Sequence, residues 1–140
     1  MARDVMSVRL SPEARERLRT EAARVGEPPA SLAERLIDEG LRQRRHPLIR
    51  FVDGVTGRRA RLVRGPDVWE LVWFVQRSAA AGDEKAAHAA EWFRLAEADV
   101  EAALAYYAAF PDEIDERIRL NAEALAEAEA IAAGRRQLLG

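Results

Sequence analysis

The 140-residue chain has no cysteine, one lysine, two histidines and no long apolar run. Without cysteine there is no disulfide scaffold, no thiolate metal site and no thiol nucleophile. A reducing cytoplasm is the expected compartment. The opening residues, Met1 to Ser7, carry charge where a secretion signal needs an apolar stretch, so no such signal is expected. The longest uncharged stretches, Leu71 to Gln76 and Ala102 to Pro111, are too short to span a bilayer, so no membrane partner is expected. His46 and His88 lie in different segments. Glu84, His88 and Glu91 share a helical face at i, i+4 and i+7, but three such residues on a polar helix describe a solvated surface better than a metal site. There is no glycine-rich phosphate loop, no nucleophile elbow and no Cys or His dyad. The expectation is a non-enzyme with no catalytic residue, no cofactor and no metal.

Charge is what the chain has in quantity, and it is unevenly placed. Residues 1–65 hold 15 Arg against 9 Asp or Glu, a net of +6, and residues 66–140 hold 7 Lys or Arg against 15 Asp or Glu, a net of −8. A basic half favours phosphates and an acidic half repels them, which points to two different partners.

The periodicity predicts a mainly α chain. Val5 to Leu10 alternates, with Met6, Val8 and Leu10 on one face and Val5, Ser7 and Arg9 on the other, the pattern of a half-buried strand. Ser11-Pro12-Glu13 starts a helix, with Ser11 as N-cap and Pro12 in the first helical position. Ala14, Leu18, Ala22 and Val25 form its apolar stripe, and Gly26 ends it. A second helix opens after Pro28-Pro29, carries Leu32, Ala33, Leu36, Ile37 and Leu41, and stops before Pro47. Arg42, Arg44 and Arg45 suit the C-terminal end of its dipole. Residues 48–63 read as a short β-hairpin with Asp53-Gly54 and Thr56-Gly57 as turn residues. Helices follow: one capped by Asp67 and carrying Val68, Leu71, Val72 and Val75, one over 84–95, and one over 97–110 with Val100, Ala103, Leu104 and Tyr107 inward. A last helix over Asp112 to Leu138 has a sparse stripe of Ile114, Ile118, Leu125 and Ile131 and a length of roughly 40 Å. Trp69, Trp73, Trp92 and Phe93 are expected to be core.

A lone six-residue strand leaves its backbone groups unpaired, and its chain neighbours are helices. The simplest partner is the same strand of a second chain, antiparallel about a two-fold axis. Such a ribbon fits the DNA major groove, where each base pair shows a distinct donor and acceptor pattern. Residues Met6-Ser7-Val8-Arg9-Leu10-Ser11-Pro12-Glu13, followed by Leu18, Ala22, Gly26 and the Leu32–Leu41 helix, resemble the ribbon-helix-helix family, the Arc, MetJ and CopG class. The resemblance covers about 42 residues. It implies an intermolecular two-stranded ribbon, a homodimer, and base reading by Val5, Ser7 and Arg9, with Arg3 beside them. Where relatives of that class place Ser or Thr at the start of the second helix to hold a phosphate, this chain has Pro28 and Pro29, which lack N–H donors. Ala30 and Ser31 are left as the phosphate contacts.

Residues 48–120 resemble a small domain of antitoxins from VapBC-type toxin–antitoxin modules. The matching stretches are Arg64 to Val72, Ala98 to Tyr107 and Phe110 to Ile114. The resemblance implies a helical bundle of helix-turn-helix type. The chain has Gly65-Pro66-Asp67 where that domain carries Gly-Thr-Arg, so no role of that Thr or Arg carries over. Glu97, Asp99 and Glu101 make the helix that would enter a groove a poor DNA reader. The last helix reads either as a packing or coiled-coil helix or as a toxin-binding arm. By resemblance, Arg135 or Arg136 near its tip would enter the acidic metal site of a PIN-domain ribonuclease.

The expected organisation is a ribbon-helix-helix DNA-binding domain over 1–46, then a hairpin plus helical interaction domain over 47–140. The expected function is sequence-specific binding of operator double-stranded DNA by a transcriptional repressor that is also an antitoxin. Two alternatives stand beside it. One is a stand-alone regulator whose C-terminal half only oligomerises. The other is a protein-interaction module without DNA binding.

Overall fold

A computed structural model describes residues 4–140. The described residues form helices α1 (Pro12–Val25) and α2 (Pro29–Arg45), strands β1 (Ile49–Gly54) and β2 (Gly57–Leu62), and helices α3 (Val68–Arg77), α4 (Asp83–Phe93), α5 (Glu97–Ala109) and α6 (Pro111–Leu139). The protein is thus mainly helical, with one small two-stranded antiparallel sheet and a long C-terminal helix. It divides into two compact units, the first ending at Arg44 and the second beginning at Arg45.

In the first unit, both ends of α1 follow from local chemistry. The Ser11 hydroxyl accepts the Ala14 N–H at 3.1 Å, satisfying one of the donors a helix start leaves open, and Pro12 needs no donor there. Gly26 adopts φ +70°, a left-handed conformation that costs glycine little, and its N–H closes on the Ala22 carbonyl. The α2 ladder begins with Leu32 N–H to Pro28 C=O at 3.0 Å. Burial here is thin: Ala22 and Leu32 are the apolar side chains taken out of water. The alternating Val5–Leu10 segment forms no strand in the single chain. Its backbone has no ladder partner among the described residues, and Met6, at 85% exposure, stands in water with Val8 and Leu10.

The second unit has a core of its own. In the hairpin, Ile49 faces Leu62 and Phe51 faces Ala60, and this face lies on the core. Arg50 faces Arg61 and Val52 faces Arg59 on the other face. The turn is Val55-Thr56, held between Gly54 and Gly57, and Gly57 takes φ +107°. Arg117 of α6 ties the turn down, donating to the Thr56 carbonyl at 2.8 Å and the Arg58 carbonyl at 3.2 Å. Leu62, Val68, Leu71, Val72, Ala89, Val100, Ala103, Tyr106 and Ile114 complete the core. Gly65 packs closely on Leu95: a Cβ there would lie 2.9 Å from Leu95 Cδ2, so that side chain would have to shift.

Several expectations for this unit are corrected. Asp67 precedes α3, but its side chain makes no cap. It turns inward instead, to a buried ion pair with Arg59 and a 3.2 Å bond from the Trp69 indole N–H. Helix α4 stops at Phe93, because Arg94 is left-handed at φ 56° and its N–H closes the helix end. Tyr106, not Tyr107, is the fully buried aromatic of α5, with Phe110 and His46 against it at ring separations of 4.8 and 5.3 Å. Trp92 is not core. It is 70% exposed and stacks on Phe74. On α6 only Ile114 is buried and Ile118 half-buried, while Leu125 and Ile131 are exposed. Helical periodicity gives the face of a helix but not how far along it the neighbouring elements extend. No helix of the described residues is long and apolar enough to cross a membrane.

Candidate nucleic-acid interface

The residues proposed for base reading lie in the run that precedes α1. Val5, Ser7 and Arg9 are all exposed, and Arg9 makes no ion pair among the described residues. Arg3 lies outside the described residues. The Ser11 cap and Pro12 fix where this run ends and α1 begins. Across the unit, Ala30 and Ser31 occupy the first turn of α2 and are exposed. Their N–H groups precede the first i→i−4 bond, which falls on Leu32, and so point out of the helix end. That turn holds no acidic residue. No hydrogen bond or ion pair among the described residues joins the Val5–Arg9 run to Ala30 or Ser31.

Charge within the unit differs from what the half-chain count suggests. Up to Arg44 the chain carries 9 Arg against 8 Asp or Glu, close to neutral. Arg24 pairs with Glu21, Arg35 with Glu27 at 2.7 Å, and Arg42 with Asp38 at 3.1 Å. Arg44 and Arg45 are exposed at the C-terminal end of α2, where they favour the dipole. The basic surplus lies in residues 45–64, which hold 6 Arg and a single acid, Asp53. A count over halves of the chain misplaced it because it cut the chain at residue 65, after the hairpin, whereas the unit boundary, like the expected domain boundary at residue 46, falls before it.

The acidic residues of α5 also separate into roles. Glu97 and Glu101 are exposed. Asp99 is buried and accepts the Ala96 N–H at 3.2 Å, so it secures the helix start and is not part of a repelling surface. Arg135 and Arg136 are exposed on the last turns of α6, beside exposed Leu138 and Leu139. Glu84, His88 and Glu91 are exposed on α4, and among the described residues no three His, Asp or Glu side chains gather as metal ligands do.

Titration is shifted at a few surface groups of the second unit. The Tyr107 hydroxyl donates to Asp115 at 2.8 Å, and this bond to a carboxylate holds the phenol above its ordinary value. The Arg119 guanidinium, 2.8 Å from Glu116, holds that carboxyl below its ordinary value. Neither group lies in the candidate interface.

Comparison with models of known families, with characterised proteins and with solved structures returned no match. The interface therefore rests on the residues themselves. Reading by element missed two arrangements. The Arg59–Asp67–Trp69 group needs a contact across the hairpin and α3 that no local pattern announces. The Arg50–Arg61 pair was within reach, since strand alternation and a two-residue turn give the register once the turn is placed.

Proposed function

We propose that this protein is a DNA-binding homodimer of the ribbon-helix-helix kind that acts as a transcriptional repressor. The observation that carries this reading is the first unit's surface. It buries Ala22 and Leu32, yet Met6, Val8, Leu10, Leu36, Ile37 and Leu41 are exposed. Burying one such side chain is worth about 1.5–3 kcal/mol, so a second copy that covers them supplies what a unit this small lacks. Pairing the Val5–Leu10 segment with its copy satisfies both backbones and seats Met6, Val8 and Leu10 on the helices. The opposite face then presents Val5, Ser7 and Arg9 from both copies to a major groove. Ala30 and Ser31 at the α2 start hold a flanking phosphate.

A second role is proposed for α6, as the arm that holds a partner toxin such as a PIN-domain ribonuclease. Its support is the unpacked distal part of the helix, where Leu125, Ile131, Leu138 and Leu139 are exposed together with Arg135 and Arg136. In this reading the protein is an antitoxin that represses its own operon.

The deciding experiment is sedimentation of the full chain together with selection of binding sites from a random duplex pool. A dimer at micromolar concentration and an enriched, two-fold symmetric sequence are expected. Arg9→Ala is expected to lose that sequence preference while keeping the fold, because a bidentate Arg–guanine contact is worth about 1–3 kcal/mol and a dimer loses two. A folded monomer at micromolar concentration refutes the reading.

A further inference from the structure

Residues 45–64 hold the basic surplus of the chain, and the hairpin sets how it is displayed. On the core face the cross-strand pairs are apolar, Ile49 with Leu62 and Phe51 with Ala60. On the outward face Arg50 stands directly opposite Arg61. Side chains directly opposite on one face have Cβ atoms about 4.5–5.5 Å apart, and like charges there repel. Neither Arg50 nor Arg61 has a carboxylate partner among the described residues to relieve this repulsion. Asp53 is engaged by Arg58 at 3.0 Å, and Asp67 by Arg59. Arg61 is held in place by its Nε, which donates to the Gly65 carbonyl at 2.9 Å. Arg64, in the turn just past β2, is exposed and also makes no ion pair among the described residues. The hairpin thus carries a like-charged pair, with a third guanidinium beside it, and none of the three forms an ion pair with a carboxylate among the described residues.

We propose that the outward face of the β1–β2 hairpin, through Arg50, Arg61 and Arg64, is a second contact for duplex DNA that grips its phosphates. Guanidinium forks match phosphate oxygens bidentately, and a phosphate between Arg50 and Arg61 turns their repulsion into joint attraction. The first unit, with 9 Arg against 8 acids, has almost no charge surplus of its own to hold a polyanion. The hairpin supplies it, while Val5, Ser7 and Arg9 supply sequence reading. Phosphate contacts position and base contacts specify, so the two sets are separable by experiment. The choice of DNA as the polyanion rests on the proposed function; the presence of a phosphate-binding face does not.

The test uses the full chain and a 24-bp duplex of arbitrary sequence, read by fluorescence anisotropy between 50 and 200 mM salt. The Arg50→Gln/Arg64→Gln pair removes two charges per copy at exposed positions. Arg64→Gln alone lies outside the strands and leaves the ribbon untouched. For a dimer, four lost contacts lower the slope of log affinity against log salt by about 3–4, and Arg64→Gln alone lowers it by about half of that. Over that salt range the wild-type affinity then falls about 100-fold more than that of the double variant. Unchanged slopes in both variants overturn the hairpin contact, and loss of sequence preference in Arg9→Ala would still stand for the first unit. Altered slopes with an inert Arg9→Ala place the failure in the first unit's reading instead. Polyglutamate displacing the duplex at equal charge concentration, or an RNA duplex bound more tightly than DNA, overturns DNA as the occupant.

Discussion

The unit beginning at Arg45 closes around Tyr106, Leu62 and Leu71, each fully buried, while the unit ending at Arg44 leaves most of its large apolar side chains in water. Both are rich in helix, and both have well-formed helix ends. The difference lies in what their helices can pack against. The second unit has a hairpin and four helices to enclose one core. The first has two helices and an unpaired run, and takes only Ala22 and Leu32 of its apolar side chains out of water. Helical content therefore says nothing about self-sufficiency; the supply of packing partners does.

The largest effect should separate the units cleanly, because Trp69, Trp73 and Trp92 all lie in the second. Tyr106→Ala empties the centre of that core and is expected to cost about 3–5 kcal/mol, measured by urea unfolding followed by tryptophan fluorescence. A dimer interface made by the first unit should stay intact in this variant at low urea.

Ile37→Asp is the converse change. It puts a charge on the exposed apolar face of α2 and is expected to weaken dimerisation at least about 100-fold in sedimentation, with the tryptophan transition unmoved. If the two transitions move together, the units are not independent and the comparison fails.

Asp67→Ala leaves Arg59 without its carboxylate and frees the Trp69 indole. Breaking a buried pair on one side costs several kcal/mol, and with Arg59 about one-fifth exposed about 2–3 kcal/mol is expected for the second unit. Arg59→Met with Asp67→Leu should recover most of this, since no charge is then stranded.

Ser11→Ala removes the α1 cap and should cost about 1 kcal/mol, seen as a shift in the concentration-dependent circular dichroism transition and not in fluorescence. The smallest effect concerns pH. Glu116 is held below its ordinary value by Arg119, so its contribution to α6 is complete above the ordinary carboxylate range and is lost as pH falls through the lowered value. A slight loss of helicity on acidification is expected, smaller in Glu116→Gln.

Where the signal was local, the chain was legible. Ser11, Pro12, Gly26 and Pro29 bound their helices, and the glycines at 54 and 57 bound the turn, because each acts through its own backbone or its nearest N–H. The alternation that sets Val5, Ser7 and Arg9 apart from Met6, Val8 and Leu10 is a property of the sequence; in the single chain all six are exposed and form no strand. What was not legible depended on neighbours remote in sequence. Trp92 looks like core by composition, yet it sits on the outer side of α4. Tyr107 and Tyr106 are adjacent, and only the packing of α5 against the hairpin selects Tyr106.

The sequence by itself determined the helical character of the chain, the positions of its caps and turn, and which residues alternate ahead of α1, since these follow from backbone preferences and short-range periodicity. Only the tertiary structure decided that Asp67 and Asp99 are buried while Glu97 and Glu101 are exposed, and that one unit has a closed core and the other does not. Burial and charge environment are properties of surfaces brought together across long stretches of chain, so no window of sequence contains them.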